Sequence, residues 1–346
     1  MIESLVRKTV LDFKAYSSAR DEFTGVDYVF LDANENPNDE ELNRLNRYPD
    51  PYQRTLKKRL SEVKEVPSEN IFLGNGSDEV LDLIYRVFCE AFKDEVIICP
   101  PTYGMYSVLA RLNEAALIEI PLKPDFQLDI NEILSRKEAK ILFLCSPINP
   151  IGSSLGQKDL ERVIKEFRGI VVLDEAYIDF ANHESWSKRI HEFPNLIITQ
   201  TFSKAWGLAG IRLGLAICSE EIIGYLNRIK PPYNINTTTQ QMALDALNHN
   251  YRTSTWVREI ISERERLKGV LENFSIVDYI FPSDSNFLLV RFKDSKKVYD
   301  RMLGKGIVLR DRNKELYCES SLRLTIGTEK ENDRLLLELE RLDNNK

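Results

Sequence analysis

Six short runs of mostly apolar residues, none containing a charge, punctuate the first two thirds of the 346-residue chain, at positions 71–73, 96–99, 141–145, 170–173, 196–200 and 213–218. A strand with one face in water alternates apolar and polar residues. These runs do not, so both of their faces must be covered. Between the first two runs the spacing turns helical, with Val80, Leu81, Ile84, Val87 and Phe88 on one face. Covered strands separated by helices predict a mostly parallel sheet sandwiched by helices, an α/β fold.

After about residue 247 the texture changes. Residues 260–271 read as a charged amphipathic helix, followed by strand-like 286–292 and 322–326. A last helix is expected after Thr328, capped with Glu331 three residues on, with Leu335, Leu336, Leu339 and Leu342 as its apolar stripe. This part is expected to form a smaller α+β C-terminal domain, 248–346, beside a large domain, 36–247.

Composition narrows the partners. The 47 Lys+Arg against 54 Asp+Glu leave a formal charge of −7, without blocks of like charge, which argues against a nucleic-acid or anionic-membrane surface. Only His183, His191 and His249 are present, little material for a metal site or a histidine-centred triad. The five cysteines include no Cys-x-x-Cys pair and read as reduced, buried thiols of a cytoplasmic protein. The longest uncharged stretch, 141–157, holds two prolines and three serines and is no membrane span. The charged opening Met1-Ile-Glu-Ser-Leu-Val-Arg-Lys lacks the apolar core of a signal peptide.

In an open α/β sheet, ligands bind beyond the carboxyl ends of the strands, so the residues just after each run carry the information. After 71–73 comes Gly74-Asn75-Gly76-Ser77-Asp78-Glu79, which reads either as a plain tight turn or as a helix entrance whose free N–H groups face a phosphate. Glu79 stands where a dinucleotide fingerprint wants a third small residue, which weakens a nicotinamide-enzyme reading. After 141–145, the rigid turn Ser146-Pro147-Ile148-Asn149-Pro150-Ile151-Gly152 presents Asn149, as an Asx-turn residue or as a ligand contact. Asp174 ends the fourth run, and a buried carboxylate needs a partner: a structural arginine or a cationic ligand atom. Lys204 follows the fifth run, with no other charged residue between Glu192 and Arg212. Desolvation of that kind lowers a lysine pKa and makes its amine a nucleophile. An amine, a strand-end anion and a phosphate cradle with Arg212 together match what pyridoxal phosphate requires.

The segments 146–152, Asp174-Glu175-Ala176-Tyr177 and Thr201-Phe202-Ser203-Lys204-Ala205-Trp206-Gly207-Leu208-Ala209-Gly210-Ile211-Arg212 resemble those of fold-type-I pyridoxal-phosphate aminotransferases. Segments 31–37, 46–49, 99–106, 309–311 and 322–328 extend the resemblance to the histidinol-phosphate aminotransferase subfamily, over essentially the whole chain. The resemblance implies that Lys204 bonds the cofactor aldehyde and later shuttles a proton. It implies that Asp174 pairs with the ring nitrogen, that Asn149 and Tyr177 hold the 3′-oxygen and that Tyr103 stacks on the ring. Ser203, Arg212 and the backbone at Gly76 and Ser77 would bind the phosphate, joined in a homodimer by Tyr48 of the neighbouring subunit. Arg323, Arg310, Tyr16 and Asn149 would bind the substrate, with residues 1–35 as an arm on the small domain. The implied reaction exchanges an amine between histidinol phosphate and 2-oxoglutarate, giving imidazole-acetol phosphate and glutamate. An aromatic aminotransferase and a threonine-phosphate decarboxylase of the same fold are the alternatives. Ile148 and Ile151 depart from the usual pattern, and a more apolar wall beside Asn149 is expected from them.

Overall fold

The computed structural model describes residues 2–15, 28–38 and 45–344. The first six apolar runs become strands of one sheet: β1 (Ile71–Asn75), β2 (Glu95–Ile98), β4 (Ile141–Cys145), β5 (Ile170–Asp174), β6 (Leu196–Thr201) and β7 (Leu213–Ile217). A seventh strand, β3 (Ala116–Glu119), completes the order β1-β7-β6-β5-β4-β2-β3. The pairs β3–β2, β2–β4, β4–β5 and β5–β6 are parallel, and β7 runs antiparallel to both β6 and β1. No apolar run marks β3, because an edge strand need not be covered: its residues are half-buried or exposed.

Side-chain parity along the strands divides the core in two. Leu142 and Leu144 of β4, Val171 and Leu173 of β5, and Ile198 of β6 face one side. There they meet helices α2 (Arg54–Lys64), α5 (Ile130–Ser135), α6 (Gln157–Glu166) and α8 (Thr237–Asn248). Phe143, Val172 and Ile197 face the other side, covered by α1 (Lys8–Leu11), α3 (Gly76–Phe88), α4 (Met105–Leu112) and α7 (Glu220–Ile229). The helical face read from residues 80–88 is the buried face of α3; Val80, Leu81, Ile84, Val87 and Phe88 are all fully enclosed.

The chain continues through α9 (Asn250–Leu271), β8 (Val277–Ile280), β9 (Phe287–Phe292), α10 (Ser295–Gly304), β10 (Arg310–Asp311), β11 (Ser321–Thr325) and α11 (Glu329–Asn344). Its four strands form an antiparallel sheet, β10-β11-β9-β8. Leu288, Val290 and Phe292 of β9, with Leu322 and Leu324 of β11, pack on α9, α10 and α11. Phe287 and Leu289 point the opposite way, into the core of the large sheet. On β11 that opposite parity belongs to Arg323, which is how an arginine from this sheet reaches the large one. Thr328 and Glu331 form the expected cap of α11, each accepting from the other's backbone N–H, at 3.4 Å and 2.8 Å.

The start of the chain departs from expectation. Ile2, Val6 and Val10 pack with α3 and α7 on the large sheet rather than on the small one. Arg228 of α7 secures them by donating to the carbonyls of Val10 and Leu11 at 3.0 and 3.1 Å. All five cysteines are buried and unpaired. Among the described residues, no helix is long and apolar enough to cross a membrane.

Strand β7 approaches the start of α3 so closely that a Cβ at Gly214 would lie 2.2 Å from the Ser77 nitrogen. Replacing Gly214 by Ala is expected to push β7 and α3 apart and destabilise the protein by about 1–3 kcal/mol. Gly224, in α7 with open space around it, is the control: Gly224→Ala should hold or raise stability by about 0.5–1 kcal/mol. Thermal unfolding of the two variants separates these outcomes.

Candidate active site

The strand order reverses between β2 and β4, since the chain runs outward through β3 and then inward through β4, β5 and β6. Beyond the carboxyl ends of these strands lies a cavity of about 400 Å³. Ser77, Tyr103, Asn149, Asp174, Tyr177, Ser203, Lys204, Arg212, Arg310 and Arg323 all line it.

Asp174 ends β5 on the α4 side of the sheet and is 3% exposed. One carboxylate oxygen accepts from the Tyr106 hydroxyl at 2.8 Å and the other from the Ala176 N–H at 3.1 Å. Burial pushes its pKa up, and hydrogen-bond donors, Tyr106 foremost, pull it back. Among the described residues no arginine or lysine forms an ion pair with it. Its neighbour Glu175, of opposite parity, is buried and held by the Trp186 N–H, Ser185 and Gln200.

Lys204 lies just past β6, with its amine 5.5 Å from the centre of the Tyr177 ring. Burial lowers its pKa and Arg323 adds to the effect, while Asp174 opposes it. Tyr177 is buried and accepts from the Asn149 side-chain amide at 3.4 Å. The Asn149 carbonyl oxygen accepts from Arg323 at 2.5 Å. Burial depresses the Arg323 pKa as well. Arg310 stands directly opposite Arg323 in the β10–β11 register, so the chain reversal does bring the two arginines together.

At the other end of the cavity, α3 begins at Gly76, whose φ is +77°. A Cβ there would sit 2.7 Å from the Arg212 guanidinium, so the missing side chain makes room for that group. Arg212, itself at φ +53°, lies 3.6 Å from Asp78. Glu79 accepts from the Asn75 N–H and from Asn234, at 2.5 and 3.0 Å. It is thus committed to the helix entrance, where Ser77 lines the cavity. Ser203 accepts from Thr201 at 3.1 Å, which sets its hydroxyl at the same end.

One expected residue stands apart. Tyr48 does not line the cavity; it stacks on Tyr233 with centroids 4.5 Å apart, and its N–H donates to Glu35 at 2.7 Å. Tyr16 lies outside the described residues. Ile148 and Ile151 are enclosed in the core rather than placed along the cavity, so the expected apolar wall beside Asn149 is absent. Sequence reasoning passed over Tyr106, Asp78 and Arg312. Tyr106 follows Tyr103 by three residues at a helix start, a same-face spacing that could have drawn notice. Arg312 lines the cavity two residues beyond Arg310, just past the end of β10.

A desolvated amine and an unpaired carboxylate, over a cavity closed by a glycine–arginine cradle, define a site of the aminotransferase type. The chain belongs to the aminotransferase class I and II family, whose pattern matches residues 24–339. More narrowly, it falls among relatives named histidinol-phosphate aminotransferase: that of Christiangramia forsetii is 52% identical over 99% of this chain and 98% of its own. Among solved structures, the histidinol-phosphate aminotransferase from Clostridium acetobutylicum superposes with a TM-score of 0.81 at 26% identity, covering 87% of this chain and 92% of that one. The Sinorhizobium meliloti structure, in complex with pyridoxal-5′-phosphate, shares the fold at 24% identity and a TM-score of 0.79, covering 86% of this chain and 83% of that one.

With no ion-pair partner among the described residues, Asp174 is a liability when the protein stands alone. Asp174→Asn should stabilise the cofactor-free protein by about 1–3 kcal/mol, because an amide keeps partners in Tyr106 and Ala176 without a buried charge. A carboxyl whose native pKa exceeds its ordinary value of 3.8 withdraws stability as pH rises through that interval. The advantage of the Asn variant should therefore be smallest below pH 3.8 and widen above it, as followed by melting temperature against pH.

Proposed function

We propose that this protein transfers the amine of histidinol phosphate to 2-oxoglutarate, using pyridoxal phosphate held by Lys204. The observation that carries the reading is the buried Asp174 carboxylate, which has no ion-pair partner among the described residues and faces the same cavity as a lysine amine shifted toward its neutral form. A protonated ring nitrogen supplies the charge that Asp174 lacks, so the residues fit this cofactor. When bound, pyridoxal phosphate contributes an aldehyde that condenses with amines and a ring that takes up the electron pair left when the substrate Cα–H bond breaks.

The chain's own residues do the rest. Lys204, its pKa lowered by burial and by Arg323, takes the proton from the substrate Cα and returns it on the other side of the exchange. Asp174 would hold a proton on the ring nitrogen. Asn149 and Tyr177 would hold the ring's 3′-oxygen, and Tyr103 would stack on the ring. The N–H groups of Gly76 and Ser77, with Ser203 and Arg212, receive the cofactor phosphate. Arg323 and Arg310 receive the anionic end of each substrate, phosphate in one half-reaction and carboxylate in the other, since a guanidinium fork suits both. The same reading makes the protein a cytoplasmic homodimer in which Tyr48 of each subunit reaches the cofactor phosphate of its neighbour, consistent with its exposed position away from the cavity of its own chain.

Lys204→Ala should abolish the visible absorption band of the lysine-bound cofactor and lower turnover of histidinol phosphate by roughly 10²–10⁴-fold. Near-normal turnover would sink the assignment. The subunit arrangement has its own test. Lys204→Ala and Tyr48→Phe variants are each expected to be impaired. Mixed and re-equilibrated, they should regain activity, because hybrid dimers contain one site with both native residues; no gain on mixing would place Tyr48 outside the site.

A further inference from the structure

Tyr106 has not been given a task by the chemistry above, yet it is the side chain bound most directly to Asp174. It is fully buried, and so is Tyr85 one helix away. A phenol hydroxyl in such a place needs an acceptor, and phenylalanine would fill the same volume without one. The Tyr106 hydroxyl has Asp174 as that acceptor, at 2.8 Å.

The ring is held from several sides. It stacks on Phe143 of β4 with centroids 5.1 Å apart and planes 17° apart. Phe143 stacks in turn on Tyr85 of α3 at 4.9 Å and 20°. The Tyr85 hydroxyl closes the circuit by donating to the Tyr106 carbonyl at 2.7 Å. Tyr106 also meets Tyr103 edge-on at 5.6 Å. A stack of three rings across two helices and a strand thus fixes one hydroxyl against one carboxylate oxygen, while the Ala176 N–H fixes the other oxygen.

We propose that Tyr106 is a positioning residue: its hydroxyl holds the Asp174 carboxylate in one rotation and in its charged form, ready for a cationic ring nitrogen. The bond favours the charged form because a carboxylate accepts it fully. The other ionisable groups around Asp174 are Tyr103, Asp78, Cys145, Tyr177 and Lys204. Of these only Lys204 is cationic, and it makes no ion pair with Asp174 among the described residues. The proposal rests on the reading of the cavity as a pyridoxal-phosphate site.

Tyr106→Phe keeps the ring stack and removes only the hydroxyl. In the full-length protein, titration with pyridoxal phosphate followed by absorbance should show a dissociation constant raised about tenfold or more. The KM for the amine donor should stay within about twofold. In an Asp174→Asn background the same change should alter cofactor affinity less than twofold. Without cofactor, Tyr106→Phe should lower the melting temperature increasingly as pH rises above the carboxyl range, and this pH dependence should vanish in the Asn background. Unchanged cofactor affinity, or an equal loss with and without Asp174, would overturn the proposal and leave Tyr106 as packing alone. A native protein that takes up no pyridoxal phosphate would instead defeat the cofactor reading. The cofactor-free melting series still decides whether Tyr106 acts on the Asp174 charge.

Discussion

Covering a sheet on both faces is the constraint from which the rest of this protein follows. A strand enclosed from above and below can place polar side chains only where it leaves the sheet, because elsewhere they would be buried without partners. In β4 and β5 the apolar residues fill both layers of core up to the last positions, and β6 is apolar over 196–198 before its buried Thr199, Gln200 and Thr201. Asn149, Asp174 and Lys204 come at or just past the strand ends. Four parallel pairings point β2, β4, β5 and β6 the same way, so their chemistry collects in one place.

That collection reverses the electrostatics of the chain as a whole. The protein carries −7 overall, yet among the described residues Lys204, Arg212, Arg310, Arg312 and Arg323 share a cavity with Asp78 and Asp174 as the acids. The excess of positive charge suits ligands that are anions at both ends. Burial then acts in opposite directions on the central pair, raising the Asp174 carboxyl and lowering the Lys204 amine. Each is moved toward neutrality when no ligand is present. A cationic ring nitrogen and a condensing aldehyde are the partners that would relieve the two.

Much of this was legible without coordinates, for reasons that differ from residue to residue. The covered strands and α3 were visible because burial dictates side-chain type over several adjacent positions. Lys204 stood out through the absence of charge around it, and Asp174 through its position at the end of an apolar run. Tyr103 rested on resemblance, while the loop at 74–77 offered a phosphate cradle with Arg212 in a pattern that equally allowed an ordinary turn. Strand β3 escaped because an edge strand makes a weaker demand on composition. Ile148 and Ile151 were read as cavity wall and proved to be core, since the turn that carries them faces two ways.

By itself, the sequence determined the layered α/β architecture, the separate texture of the last hundred residues and the positions where polar chemistry had to emerge. Periodicity and burial are local properties, written into runs of neighbouring residues. Only the tertiary structure decided which of these positions meet. Arg323 reaches Asn149 because strand parity turns it away from the leucines beside it. The Tyr106 hydroxyl reaches Asp174 across 68 residues of chain because α4 packs on the face toward which β5 directs its even-numbered side chains. Pairing order and helix packing are set by contacts distant in sequence, and no local pattern encodes them.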